Sequence, residues 1–145
     1  MPPAGASKRD FMDTVVTPAA HAAAFWVSLH LFLLLILAVR VVRQRQAHKV
    51  LIGDEGVPAL LQARRAFGNA TEYAPAGMGA LCMLALVGAP SPVLHAMGAT
   101  LFVGRLAHGV GLSLSAGPSI GRTAGTLMTW LAFLFAAVLL LVYAF

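Results

Sequence analysis

Five polar residues recur along one short stretch of the chain: Gln62, Arg65, Asn69, Glu72 and Tyr73. With Arg65 at zero and a helix turning about 100° per residue, Asn69 falls near +40°, Glu72 near −20°, Gln62 near +60° and Tyr73 near +80°. Together they fill a sector of roughly 100°, the width of one helix face. Arg64, at about −100°, falls outside it. A guanidinium grips carboxylates through paired hydrogen bonds, and a carboxylate accepts from an ammonium. One face carrying both can therefore hold a small charged ligand. The stretch runs straight into GMGALCMLALVGA (residues 77–89), which is apolar. Charged groups at membrane depth cost about 2.5–3.5 kcal/mol each on insertion scales, and they normally face a bundle interior or a wet cavity. Pro75 sharpens the point, because it cannot donate to the Thr71 carbonyl one turn back.

Partners for this stripe lie in the other apolar segments. LFVGRLAHGVG (residues 101–111) contains Arg105 and His108, which sit about 60° apart on a helix and can look into one cavity. Leu112 shares Arg105's face. Arg40 ends the first apolar segment and Arg122 opens the last, so four helices each bring one arginine (Arg40, Arg65, Arg105, Arg122) toward the same half of the membrane. Glu72 is the only acid expected at that depth, and the surplus should attract an anion. Simpler roles stand beside these. Arg40 and Arg122 could snorkel and anchor helix ends, and Glu72 could pair with Arg105 or Arg65 to hold helices together. His21, His30 and His95 read as packing or interfacial residues, His48 as solvated, and their scatter has no metal-site spacing. Trp26 and Trp130 read as packing residues. Gly98, Gly104, Gly109 and Gly111 read as points of close helix approach.

The elements that must position these groups follow from composition. Of 145 residues, 59% are hydrophobic and only 10% charged, against roughly 25% charged in soluble domains. The chain reads as an all-α integral membrane protein of one domain with four spans. Helices are expected over about 19–43, 58–89, 93–113 and 122–145, after a polar leader at 1–17, with an uncharged reversal at APSP (89–92). At 1.5 Å per residue the second helix reaches about 45 Å, longer than the ~30 Å hydrocarbon core, so its polar first turns should project beyond it. The net charge of +5 does not indicate nucleic acid, because the excess flanks the spans: Arg40, Arg43, Arg45, Lys49, Arg64 and Arg65 face only Asp54 and Glu55 between them. This positive-inside bias assigns the 43–57 and 115–121 loops to the cytoplasm. Cys82, alone in an apolar run, reads as a core residue.

RAFGNATEYAP (residues 65–75) resembles the second-helix signature of the MAPEG family, membrane-associated proteins in eicosanoid and glutathione metabolism, with Arg65, Asn69, Glu72 and Pro75 at matching places. VGRLAHGVG resembles the family's third helix, and RQRQAHKVLIGDEG is most similar to the prokaryotic branch. The resemblance implies a MAPEG-like homotrimer of four-helix subunits in a bacterial inner membrane, binding glutathione between neighbouring subunits on the cytoplasmic side. Carried over by position, Arg65, Asn69, Glu72 and Tyr73 would hold the tripeptide, with Arg105 and His108 nearby. Arg40 would reach the site from the first helix, and Arg122 would stabilise the glutathione thiolate. A guanidinium suits that last role, since it lowers a thiol's pKa without giving up its own proton. The chain also departs from the pattern: its only tyrosines are Tyr73 and Tyr143, and Leu112 stands at the third-helix position where several eukaryotic members have tyrosine.

The expected activity is that of a glutathione S-transferase or peroxidase acting on a lipophilic electrophile that arrives through the bilayer. A second expectation, motivated by the missing tyrosines and by a family branch that binds lipid without catalysis, is a non-catalytic binder of an anionic lipid or amphiphile. A small transporter ranks last, since the chain lacks paired broken helices or an inverted repeat.

Overall fold

The computed structural model describes residues 17–115 and 117–145, and the expected leader lies outside them except for Thr17. Among the described residues there are four α-helices and no strand: α1 (Pro18–His48), α2 (Pro58–Leu86), α3 (Ser91–Leu114) and α4 (Ile120–Ala144). Each boundary has a local cause. The Thr17 hydroxyl accepts from the Ala20 amide at 3.2 Å, and Pro18 occupies the first turn, where its missing N–H costs nothing. α1 runs five residues past the expected end at 43, because Arg, Gln and Ala are good helix formers. It stops only where Lys49 turns left-handed (φ 57°) and its amide closes on Arg45 and Gln46.

The reversal between α2 and α3 comes earlier than the sequence suggests. Gly88 takes φ +82°, and the Ala89 amide donates back to Leu84 at 3.0 Å. This closure ends α2 at Leu86, so Ser91 and Pro92 fall in the first turn of α3 rather than in the loop. α4 likewise starts at Ile120, because the Ser119 hydroxyl caps it by accepting from the Arg122 amide at 3.4 Å. Pro75 lies within α2 without ending it.

α2 and α3 form the central pair. α1 packs on both and α4 packs on both, while α1 and α4 make no packing contact with each other. α2 turns a stripe of small residues inward: Ala63, Ala66, Ala70, Ala74 and Gly77 are buried. With no hydrophobic drive between helices in lipid, such residues let backbones approach and van der Waals contact accumulate. α3 is the most enclosed helix, with Leu94, Met97, Leu101 and Arg105 at most 2% exposed.

α1 and α4 carry their apolar residues outward. Phe32, Ile36, Leu131 and Leu134 are all more than 60% exposed. Each helix is long and apolar enough to cross a membrane, yet only 28% and 17% of their most apolar windows are buried within the chain. A core helix of a water-soluble protein would be mostly buried, and exposed apolar faces of this extent need lipid or protein to cover them. α2 and α3 do not pass the same test of apolarity among the described residues, because they carry the polar groups.

Candidate functional site

The polar stripe of α2 faces an open cavity of about 440 Å³, lined by Asp54, Leu61, Arg64, Arg65, Gly68, Asn69, Glu72, His108, Leu112 and Arg122. That volume lies within the range of small-molecule sites, ~300–1,000 Å³. Four expected groups thus come together on α2 and α4 (Arg65, Asn69, Glu72, Arg122), with His108 from α3. A side chamber of about 270 Å³ continues past Gln62, Ser115, Arg65 and Arg122. On the far side of Arg122 lies a second cavity of about 590 Å³, bounded by His108, Pro118, Thr123, Leu127 and Trp130 among others. Arg122 and His108 stand on the wall between the two, one mouth mostly charged and the other largely apolar.

Glycines make room for this arrangement. A Cβ at Gly111 would meet the Arg122 amide at 2.9 Å and its Cγ at 3.0 Å. One at Gly125 would meet the His108 amide at 2.7 Å. α3 and α4 therefore touch backbone to backbone, which seats Arg122 beside His108. The Arg122 guanidinium donates to the Gly117 carbonyl at 2.6 Å, fixing one nitrogen and leaving its other N–H groups for a ligand.

Three expected ligand residues have partners within the chain. Arg105 does not look into the cavity. It is 2% exposed, donating from Nε to Thr129 Oγ1 at 2.8 Å, from Nη1 to Asn69 Oδ1 at 2.8 Å and from Nη2 to the Gly125 carbonyl at 3.4 Å. Tyr73 is turned inward too: its ring covers the Arg105 guanidinium, 4.9 Å from its centroid, and stacks on Phe133. Arg40 donates to the Ser113 carbonyl at 3.0 Å, satisfying one of the orphan acceptors at the end of α3. The helical wheel places Arg105 and Tyr73 toward the polar groups of the bundle, but it does not show the partners that absorb each side chain. Arg105 still serves the site through Asn69. Arginine has no acceptor, so the Asn69 oxygen must face it, and the amide nitrogen of Asn69 remains as a pair of donors.

Glu72 forms no ion pair among the described residues, and it lines the cavity with its carboxylate exposed. The alternative role, a pair with Arg65 or Arg105, is absent among the described residues. The ion pair that does form among the described residues, Arg64 with Asp54 at 2.8 Å, joins an arginine that the stripe excluded to an acid in the preceding loop. An angle measured at the helix axis ignores the reach of an arginine side chain, and nothing in the loop sequence marks Asp54 as facing α2. Among the described residues no group of three His, Cys, Asp or Glu side chains is placed to hold a metal.

Residues 23–142 match the sequence model of the MAPEG family. The chain belongs to the MAPEG family. It is therefore a membrane protein, and the all-helical bundle described above is its architecture. It is 35% identical over 86 residues to the "Inner membrane protein YecN" of Escherichia coli strain K12, an alignment covering 59% of this chain and 66% of that protein. The same protein from an O6:H1 strain of Escherichia coli matches equally. The alignment spans just under two thirds of these relatives' length. No solved structure matches significantly.

Proposed function

We propose that this MAPEG protein is a membrane-embedded glutathione transferase or peroxidase with all four helices spanning the bilayer. The observation that carries the reading is the position of Arg122, between a charged cavity and one walled by Leu127 and Trp130. A water-soluble thiol and a lipophilic electrophile need two such mouths and one activating group between them. Glutathione brings two carboxylates and one ammonium. Arg65 and the Asn69 amide suit the former, Glu72 the latter. Arg122 then holds the sulfur as thiolate, since an adjacent guanidinium favours the charged form and cannot itself lose a proton. The thiol proton leaves to solvent, and the thiolate sulfur forms its bond to the electrophilic carbon as the leaving group on that carbon departs with the pair of electrons of the broken bond.

The wider reading follows the family. The protein acts as a homotrimer, as the family resemblance implies, and sits in a bacterial inner membrane, as the name of its relative suggests, with the α1–α2 and α3–α4 loops in the cytoplasm by charge bias. The exposed apolar faces of α1 and α4 then meet lipid or neighbouring subunits.

Calorimetric titration of glutathione, followed by turnover of a model electrophile, tests the proposal. Arg65→Ala should remove binding, while Arg122→Ala should abolish conjugation and leave the assembly intact. Unchanged turnover in Arg122→Ala ends the assigned role. A second reading, a non-catalytic binder of an anionic lipid, is favoured by Leu112 in the cavity wall where a phenol would clamp the peptide. Wild-type protein that is folded, binds no glutathione and co-purifies with an anionic lipid would establish it.

A further inference from the structure

Arg64 points away from the stripe, yet its guanidinium lines the polar cavity. Asp54 accounts for this. Its Oδ2 lies 2.8 Å from Arg64 Nη1, with side-chain exposures of 41% for the arginine and 30% for the acid. Neither group is sealed off, so an incoming carboxylate can reach the arginine.

The loop that presents Asp54 is fastened at both ends and loose between. At its start the Val50 side chain is buried, and Arg45 donates to the Val50 and Leu51 carbonyls at 3.4 and 3.0 Å. At its end Asp54 builds its own turn, its Oδ1 accepting from the Gly56 amide at 3.3 Å and its carbonyl from the Val57 amide at 2.8 Å. In between, Leu51 and Ile52 are 89% and 85% exposed. Among the described residues, the Asp54–Arg64 pair is the one side-chain bond from this loop to α2.

We infer that Arg64 is a further ligand-binding arginine of the cavity and that Asp54 is its resident counter-ion, which a ligand carboxylate displaces. The inference rests on the reading of this cavity as the co-substrate site. It also deepens that reading. Arg65 and Arg122 have no acidic partner among the described residues, so a first anionic group can meet them unopposed. Arg64 is available only to a second anionic group able to replace Asp54. The cavity therefore favours a dicarboxylate over a monocarboxylate.

Glutathione is titrated calorimetrically into the detergent-purified full-length protein as wild type, Arg64→Gln, Asp54→Asn and the double variant. Arg64→Gln should weaken binding about tenfold, through loss of a charge-assisted hydrogen bond. Asp54→Asn should tighten it about two- to fivefold, through loss of a half-exposed competitor. The double variant should bind like Arg64→Gln, because a competitor has no effect without the arginine it competes for. Additive effects mean that Asp54 acts only through its general field, and they overturn the proposal, as does a neutral or weakening Asp54→Asn.

A ligand-free measurement reads the same contact. Tryptic cleavage after Lys49, mapped by mass spectrometry, should accelerate severalfold in both single variants, as a loop loses its tie. An unchanged rate overturns the closed pair. If the wild type binds no glutathione, that result falls on the proposed co-substrate. Glutarate, a bare dicarboxylate, is then titrated into the same four proteins, and absence of the same pattern overturns the role of Arg64.

Discussion

Two arginines on neighbouring helices of this bundle have opposite fates. Arg105 in α3 is sealed at 2% exposure, with three nitrogens bonded to Thr129, Asn69 and Gly125 and a tyrosine ring over its face. Arg122 in α4 makes one side-chain bond among the described residues, to Gly117, and borders every chamber of the site described above. Sequence alone ranks them together as intramembrane cations. The difference teaches that charge at membrane depth does not by itself mark a ligand site; what matters is how many donors the fold has already used. A saturated arginine is a structural centre, and an unsaturated one is a hand left open.

The comparison can be broken at its hinge. Gly125 brings α4 against α3, contributing its carbonyl to Arg105 and its missing side chain to His108, the neighbour of Arg122. Gly125→Leu should therefore give no folded, monodisperse protein on gel filtration; a well-behaved variant would show that the helices separate without penalty. Next comes Arg105→Met, which takes the guanidinium away from the buried Thr129 hydroxyl and Gly125 carbonyl. It should lower stability by about 3 kcal/mol in thermal denaturation, and an unaltered transition would mean that the network contributes little.

Arg122→Ala should do the reverse. Under the proposed activity, conjugation should fall about 100-fold or more, with stability changed by less than about 1 kcal/mol. A large loss of stability instead would move Arg122 into Arg105's class. Thr129→Val keeps the side-chain shape and removes one acceptor of Arg105. It should cost about 1–2 kcal/mol, with glutathione affinity unchanged by titration.

The smallest effect is expected at Arg40, whose bond to Ser113 caps α3 at the bundle's edge. Arg40→Gln should shift stability by about 0.5 kcal/mol or less and leave glutathione affinity as it was. A tenfold loss of affinity would restore Arg40 to the ligand set.

Several features are legible in the sequence. The stripe angles for Arg65, Asn69 and Glu72 put them on one face, and all three line one cavity, because α2 runs unbroken through them and its period transfers directly. Helix ends were less legible. The end of α1 depends on where Lys49 can adopt a left-handed turn, and that of α2 on Gly88, both settled by closure bonds rather than by hydropathy. The cavity's acidic wall was not legible at all: Asp54 lies in a loop with no period, and Arg64 reaches the site only through it.

Composition and the 3.6-residue period along one element specify the solvent, the helix count and the polar face of α2. Packing between helices sets which arginines are bonded inside the bundle and which border its cavities. That choice depends on contacts between elements: the Thr129 hydroxyl and Gly125 carbonyl of α4 closing on Arg105, and bare glycine backbones admitting Arg122 beside His108. Donor saturation is a property of pairs of helices, and no single helix's pattern encodes it.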